Sequence, residues 1–278
     1  MTFCATHGYQ PVPASVLTVK RYIAYLSTRL SYKSVRVYLN VVRLLHIQAG
    51  LDNPIEDCTV KMVLKGLRRV LKDNTYKRPV IDMEILALLR NNLNLQNGKD
   101  MAIWTTCLIA FFGMLRMSSI FPPAMHRLLV SNASVYDWGI KIRFQYSKTV
   151  QFNERQPYVV LPWNKDSSMC AATNLLRNWK ISGCDVKDPL ISFKCRGILV
   201  PLTRNDFINR ITSILQAHGL HGYTGHSFRR GGATHALYCN IPSEVIMAQG
   251  DWKSMAYLEY IDASDASSRA GKIISMYK

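Results

Sequence analysis

Between Gly225 and Tyr260 the chain gathers residue types that can grip a phosphate or attack one. His226 and Arg229 stand three apart in Gly-His-Ser-Phe-Arg-Arg-Gly-Gly, so a helix there sets an imidazole and a guanidinium about one turn apart on one face. Trp252, with its indole N–H, follows Gly250-Asp251, and Tyr260 brings a phenolic hydroxyl eight residues later. Two further cations lie upstream. Arg116 closes a long apolar run in Gly-Met-Leu-Arg-Met-Ser-Ser-Ile, and Lys148 sits in Tyr-Ser-Lys-Thr-Val-Gln-Phe. The chemistry these groups suit is phosphodiester transfer. Its pentavalent transition state needs fixed cations on the non-bridging oxygens, a nucleophile, and an acid for the leaving oxygen.

Taken singly, each signal has a plainer explanation. An arginine closing a buried helix is commonly a cap or half of an ion pair, and His-x-x-Arg recurs by chance. A lysine at a strand turn is ordinarily solvated, and most tryptophans pack. With fourteen tyrosines in the chain, neither Tyr260 nor its neighbour Tyr257 is special by itself. His218 and His221 near His226 hint at metal, but no Asp, Glu or Cys completes a ligand set at helical spacing, so no metal is expected. Gly225, Gly231 and Gly232 do not make a dinucleotide fingerprint. The signal lies in the combination.

The elements that must position these groups are mostly helices. Val16, Val19, Ile23, Leu26 and Leu30 recur at helical spacing. A second helix is expected from Ser31 or Ser34 to Gly50, burying Val35, Tyr38, Leu39, Val42 and Leu45. A third is expected from a Thr59 cap through Val63, Leu64, Leu67 and Leu71. Polar, basic residues break the periodicity at 73–79, which predicts a helical domain over 1–73, a linker at 74–79 and a second domain over 80–278. Helices are expected from about Asp82 and from Asp100 to Arg116. Two short strands follow, over 135–146 and 158–163, with Lys148 at the turn between them. Helices resume near Met169, Thr203, His226, Ser243 and Lys253.

Composition narrows the partner. The formal net charge is +17, from 35 Lys+Arg against 18 Asp+Glu, which points to a polyanion. Residues 1–73 alone hold eleven Lys/Arg against four Asp/Glu. Candidate DNA contacts are Lys33, Arg36, Arg43, Lys61, Lys65, Arg68, Arg69, Lys77, Arg78 and Arg230; solvated helix faces are the plain alternative. Seven scattered cysteines without a Cys-x-x-Cys pair suit a reducing compartment. No signal peptide is evident at the N-terminus, and the most apolar segment, 101–115, is too short to span a bilayer, so a soluble intracellular protein is expected.

The order Arg116, Lys148, His226-x-x-Arg229, Trp252, Tyr260 resembles the tyrosine recombinase (phage-integrase-like) family, whose pattern is Arg, a hairpin Lys, His-x-x-Arg, His or Trp, then Tyr. The resemblance covers the chain from Pro79 onward, and the N-terminal part is similar in layout to the family's core-binding domain. It implies a mainly α fold with a small antiparallel β-sheet, two domains clamping double-stranded DNA, and a homo-tetramer on the DNA. It further implies a 3′-phosphotyrosine on Tyr260, with Arg116 and Arg229 neutralising charge. His226 and Trp252 would bond the phosphate, Lys148 would act as general acid, and neither ATP nor metal would be needed. In the family the segment after Tyr260 often docks on a neighbouring protomer; folding back on its own domain is the alternative. The phrases Gly-Met-Leu-Arg-Met-Ser-Ser, His-Ser-Phe-Arg-Arg-Gly-Gly-Ala-Thr and Gly-Asp-Trp-Lys-Ser resemble recombinases of eukaryotic DIRS and Crypton mobile elements, which implies nuclear residence. One departure stands out: bacterial members commonly carry an acidic residue three positions after the first arginine, and here that position is Ser119. A topoisomerase IB-like nicking-closing enzyme and a non-cutting DNA-binding descendant are the competing functions.

Overall fold

The computed structural model describes residues 2–71, 79–145, 156–164, 166–255 and 258. The chain divides into two compact units, Met1–Lys77 and Arg78–Lys278. Among the described residues no helix is long and apolar enough to cross a membrane.

The first unit contains α1 (Thr2–His7), α2 (Val16–Ser27), α3 (Tyr32–Gln48) and α4 (Cys58–Val70). The Ser15 and Ser31 hydroxyls cap α2 and α3 by accepting the N–H groups of Thr18 and Ser34. Val19, Ile23 and Leu26 of α2 meet Val35 and Leu39 of α3 and Val60 and Leu64 of α4 in one apolar core. The α4 cap is Asp57, not Thr59. Its carboxylate accepts the N–H groups of Thr59 at 2.8 Å and Val60 at 3.2 Å, and an anion at a helix N-terminus also meets the positive end of the helix dipole. Tyr38 and Val63, expected inside, are exposed. The inward stripe of α3 runs through Val35, Leu39 and His46, and that of α4 through Val60 and Leu64, which leaves Tyr38 and Val63 at the edges.

The second unit is built round α6 (Gly98–Phe112), which is buried from Met101 to Phe111 because it is apolar on every side. Before it comes α5 (Met83–Asn91), capped by Asp82, and after it the four-residue α7 (Met117–Ile120). A three-stranded antiparallel sheet follows in the order β1 (Ala133–Tyr136), β2 (Gly139–Arg143), β3 (Tyr158–Pro162). The single strand expected over 135–146 is therefore two, since the chain reverses at Asp137-Trp138 and Tyr136 pairs with Gly139. Next come α8 (Ala171–Ser182), a hairpin of β4 (Ser192–Cys195) and β5 (Ile198–Pro201) that the sequence did not announce, and α9 (Arg204–Ala217). The helices α10 (Gly225–Tyr238) and α11 (Ser243–Gly250) close the described part. The helix expected at Lys253 falls largely on residues outside that part.

Gly231 and Gly232 explain how α10 lies so close to its neighbours. A Cβ on Gly231 would sit 1.7 Å from the Ile81 carbonyl oxygen, and one on Gly232 would sit 2.0 Å from that of Phe111. Only glycine lets α10 approach both backbones, and that approach sets the depth of Arg229.

Candidate active site

Arg116 reaches its place because α6 stops early. Gly113 closes the helix, and Met114 adopts a left-handed backbone (φ 48°). The N–H of Leu115 then bonds the Ala110 carbonyl, and that of Met114 bonds the Phe111 carbonyl. This Schellman closure turns the chain so that Arg116 stands at the N-cap position of α7, in extended backbone. The expectation that Arg116 ends the long helix is thus corrected. A left-handed non-glycine residue costs about 1 kcal/mol. Met114 bears it while its side chain packs with Ala233, Ala236, Ile246 and Trp252.

Arg229 comes from the second turn of α10 and is only 1% exposed. Its Nη1 donates to the Met114 carbonyl at 2.5 Å, and its guanidinium lies 3.8 Å from the Trp252 ring centroid. A buried guanidinium is costly unless its charge and donors are met, and here a carbonyl and an aromatic face contribute. Trp252 is itself buried. Its ring covers Gly250, where a Cβ would meet it at 1.7 Å, and roofs Arg229. His226 is exposed at the start of α10, whereas Arg230, a candidate DNA contact, is buried beside Arg229. Arg230 is 8% exposed, on a stretch of α10 where positions 229 to 234 are all buried.

Arg116 and Arg229 line one crevice together with Ser119, Tyr158, Gln249, Gly250 and Asp251. The Arg116 Nη1 is 3.7 Å from Asp251 Oδ2, and both side chains are largely shielded. Asp251, at the end of α11, is left-handed like Met114, with φ 53° and ψ 48°. Two residues earlier, Gln249 ties three elements together. Its Nε2 donates to the carbonyls of Val160 (2.7 Å) and Phe112 (3.0 Å), and its Oε1 accepts the Val160 N–H at 3.2 Å. α11 is thereby locked to β3 and to the end of α6. Sequence reasoning missed Gln249 and Asp251; the only signal available was their position just before Trp252.

Lys148 belongs to the connection between β2 and β3, whose last pair is Arg143 with Tyr158. Lys148, Tyr257, Tyr260, Lys77 and Arg78 lie outside the described residues. In the first unit, Lys33, Arg36, Arg43, Lys61, Lys65, Arg68 and Arg69 are all exposed. Arg36, Arg43 and Lys61 border a groove between α3 and α4, where Lys61 also pairs with Glu56 at 2.6 Å.

Solved structures of other proteins share this architecture. The structure of the XerH site-specific recombinase bound to palindromic difH substrate, a post-cleavage complex, superposes with a TM-score of 0.64 over 95% of this chain and 72% of that one, at 14% identity. The chain has the tyrosine recombinase fold. The Tn1549 transposon integrase in complex with transposon right end DNA shares this fold, with a TM-score of 0.62 over 95% of this chain and 86% of the other, at 14% identity. In sequence, an integrase/recombinase XerD homolog from Selenomonas ruminantium is 24% identical over 271 residues, covering 91% of this chain and 74% of the relative. Recombinase Cre of Escherichia phage P1 is 23% identical over 296 residues, covering 94% and 80%. No family model matches the chain. Within the tyrosine recombinase fold, the two arginines of the crevice come from segments 113 positions apart in sequence.

Proposed function

We propose that this protein is a site-specific DNA recombinase that cuts and rejoins double-stranded DNA through a 3′-phosphotyrosine on Tyr260. The observation that carries this reading is the convergence of Arg116 and Arg229 in one crevice of the tyrosine recombinase fold. Two guanidiniums held before substrate arrives can stabilise the extra charge of a phosphorane without reorganising. The Tyr260 phenol attacks the scissile phosphate, and the bond to the 5′ oxygen breaks. His226, one turn from Arg229, bonds the phosphate and receives the phenol proton, since a phenol with pKa ~10 is a poor nucleophile when protonated. Lys148, on the β2–β3 connection, protonates the leaving 5′ oxygen. Reversal by a 5′ hydroxyl from another strand completes transfer. The phosphotyrosyl bond conserves the energy of the broken one, so no ATP is consumed.

Recombination requires four such cuts, which favours a homo-tetramer on DNA. The motif phrases favour a DIRS- or Crypton-type element, and hence a nuclear site of action.

A covalent trap tests the reading. Wild-type and Tyr260→Phe proteins are incubated with nicked duplexes from a random-sequence pool, so that the cleaved fragment diffuses away, and adducts are read on a denaturing gel. An adduct in wild type that disappears in Tyr260→Phe is the expected result. DNA binding without an adduct in either protein would instead favour a non-cutting descendant.

A further inference from the structure

Resting on the assignment of Arg116 to the scissile phosphate, we propose that Asp251 is a positioning residue that holds Arg116 in the cleavage crevice. It would supply, from the end of α11, the carboxylate that Ser119 does not. Arg116 follows a turn rather than a helix, so its own backbone does little to aim a long side chain. The Asp251 carboxylate stands 3.7 Å from its Nη1, and the two side chains are 15% and 22% exposed, which limits screening by water. Asp251 is the only carboxylate among the described residues that line the crevice, facing two guanidiniums. It therefore offsets part of the repulsion between the two guanidiniums of the crevice. A separation of 3.7 Å is too long for a hydrogen bond. Asp251 thus orients Arg116 by charge.

The turn that carries the carboxylate is held by its own hydrogen bonds. The Trp252 N–H bonds the Met247 carbonyl at 2.9 Å and the Asp251 N–H bonds that of Ala248 at 3.3 Å, a second Schellman closure with Asp251 at its left-handed position. Gln249 anchors the same turn to β3 and α6. Ser119, three residues after Arg116, is buried in α7 and carries no charge.

The test compares Asp251→Asn and Asp251→Gly. Both residues tolerate the left-handed backbone, glycine best, so both keep the turn while removing the charge. Adduct formation is followed in single turnover on the nicked random-sequence duplex pool, as a function of DNA concentration, with thermal melting alongside. A misplaced catalytic group costs about 10²-fold. The expected result is that loss in the saturating rate for both variants, with the half-saturating DNA concentration and the melting temperature unchanged. A purely structural role predicts that Asp251→Gly cleaves like wild type, and that outcome overturns the proposal, as does a wild-type rate in Asp251→Asn. If wild-type protein forms no adduct, the cleavage function itself fails and this role with it. A wild-type adduct with unaltered variants sinks the positioning role alone.

Discussion

Arg229 shows what a single residue is made to do here. An arginine 1% exposed would ordinarily be a liability, yet its carbonyl partner belongs to Met114, the residue whose left-handed turn redirects the chain towards Arg116. The same hydrogen bond thus links the placement of both guanidiniums. Further along α10, burial lowers the His235 imidazole below its ordinary value of 6.5. The ring lies 5.7 Å from that of Phe111. The sign follows from linkage: a histidine that is harder to protonate when folded lets the unfolded chain bind more protons. Stability from this group is complete above pH 6.5 and declines as pH falls below it towards the folded-state value. Thermal melts of wild type and His235→Asn between mildly acidic and neutral pH check this. The melting temperature of wild type should fall more steeply than that of the variant.

At the scale of elements, the crevice depends on two helix ends and one strand. α6 and α11 both finish in Schellman closures with a non-glycine residue at the left-handed position, and Gln249 binds α11 to β3 and to the last turn of α6. Gln249→Leu keeps the approximate volume but leaves the Val160 N–H, the Val160 carbonyl and the Phe112 carbonyl without this partner. A destabilisation of about 1–3 kcal/mol is expected from denaturant unfolding, because half-buried backbone groups then lose a bond without regaining full hydration. In the first unit, His46 does comparable work in stabilising the fold. It is 1% exposed, accepts the Ala14 N–H at Nε2 (2.8 Å) and donates from Nδ1 to the Val42 carbonyl (2.8 Å).

For the molecule as a whole, the +17 charge makes DNA affinity a function of salt. Arg36 and Arg43, exposed beside the α3–α4 groove, are the clearest test positions because they belong to no core. Each phosphate contact contributes about 0.9 to the slope of log affinity against log salt on duplex DNA. Arg36→Ala with Arg43→Ala should weaken binding to random-sequence duplex and shallow that slope by up to about 2, read by fluorescence anisotropy across a salt series. An unchanged slope would mean that these are solvated helix faces after all.

Whatever depends on neighbours along the chain was legible in the sequence. Apolar stripes such as Val19, Ile23 and Leu26 mark their helices because the helical period is local, and Ser31, Asp82 and Thr203 mark helix starts because a cap bonds N–H groups two or three residues on. The order of candidate groups from Arg116 to Tyr260 was equally legible, since residue type and order need no coordinates. Where local rules competed, the sequence was ambiguous: Thr59 lost the α4 cap to a charged neighbour, and one apparent strand became β1 and β2. Tertiary structure alone decided that Arg116 leaves its helix, that Arg229 is buried under Trp252, and that Asp251 and Gln249 face Arg116 and β3. Those partners stand tens to more than a hundred positions apart. Their meeting depends on close backbone approaches, such as α10 against α6 at Gly232, that no periodicity along the chain encodes.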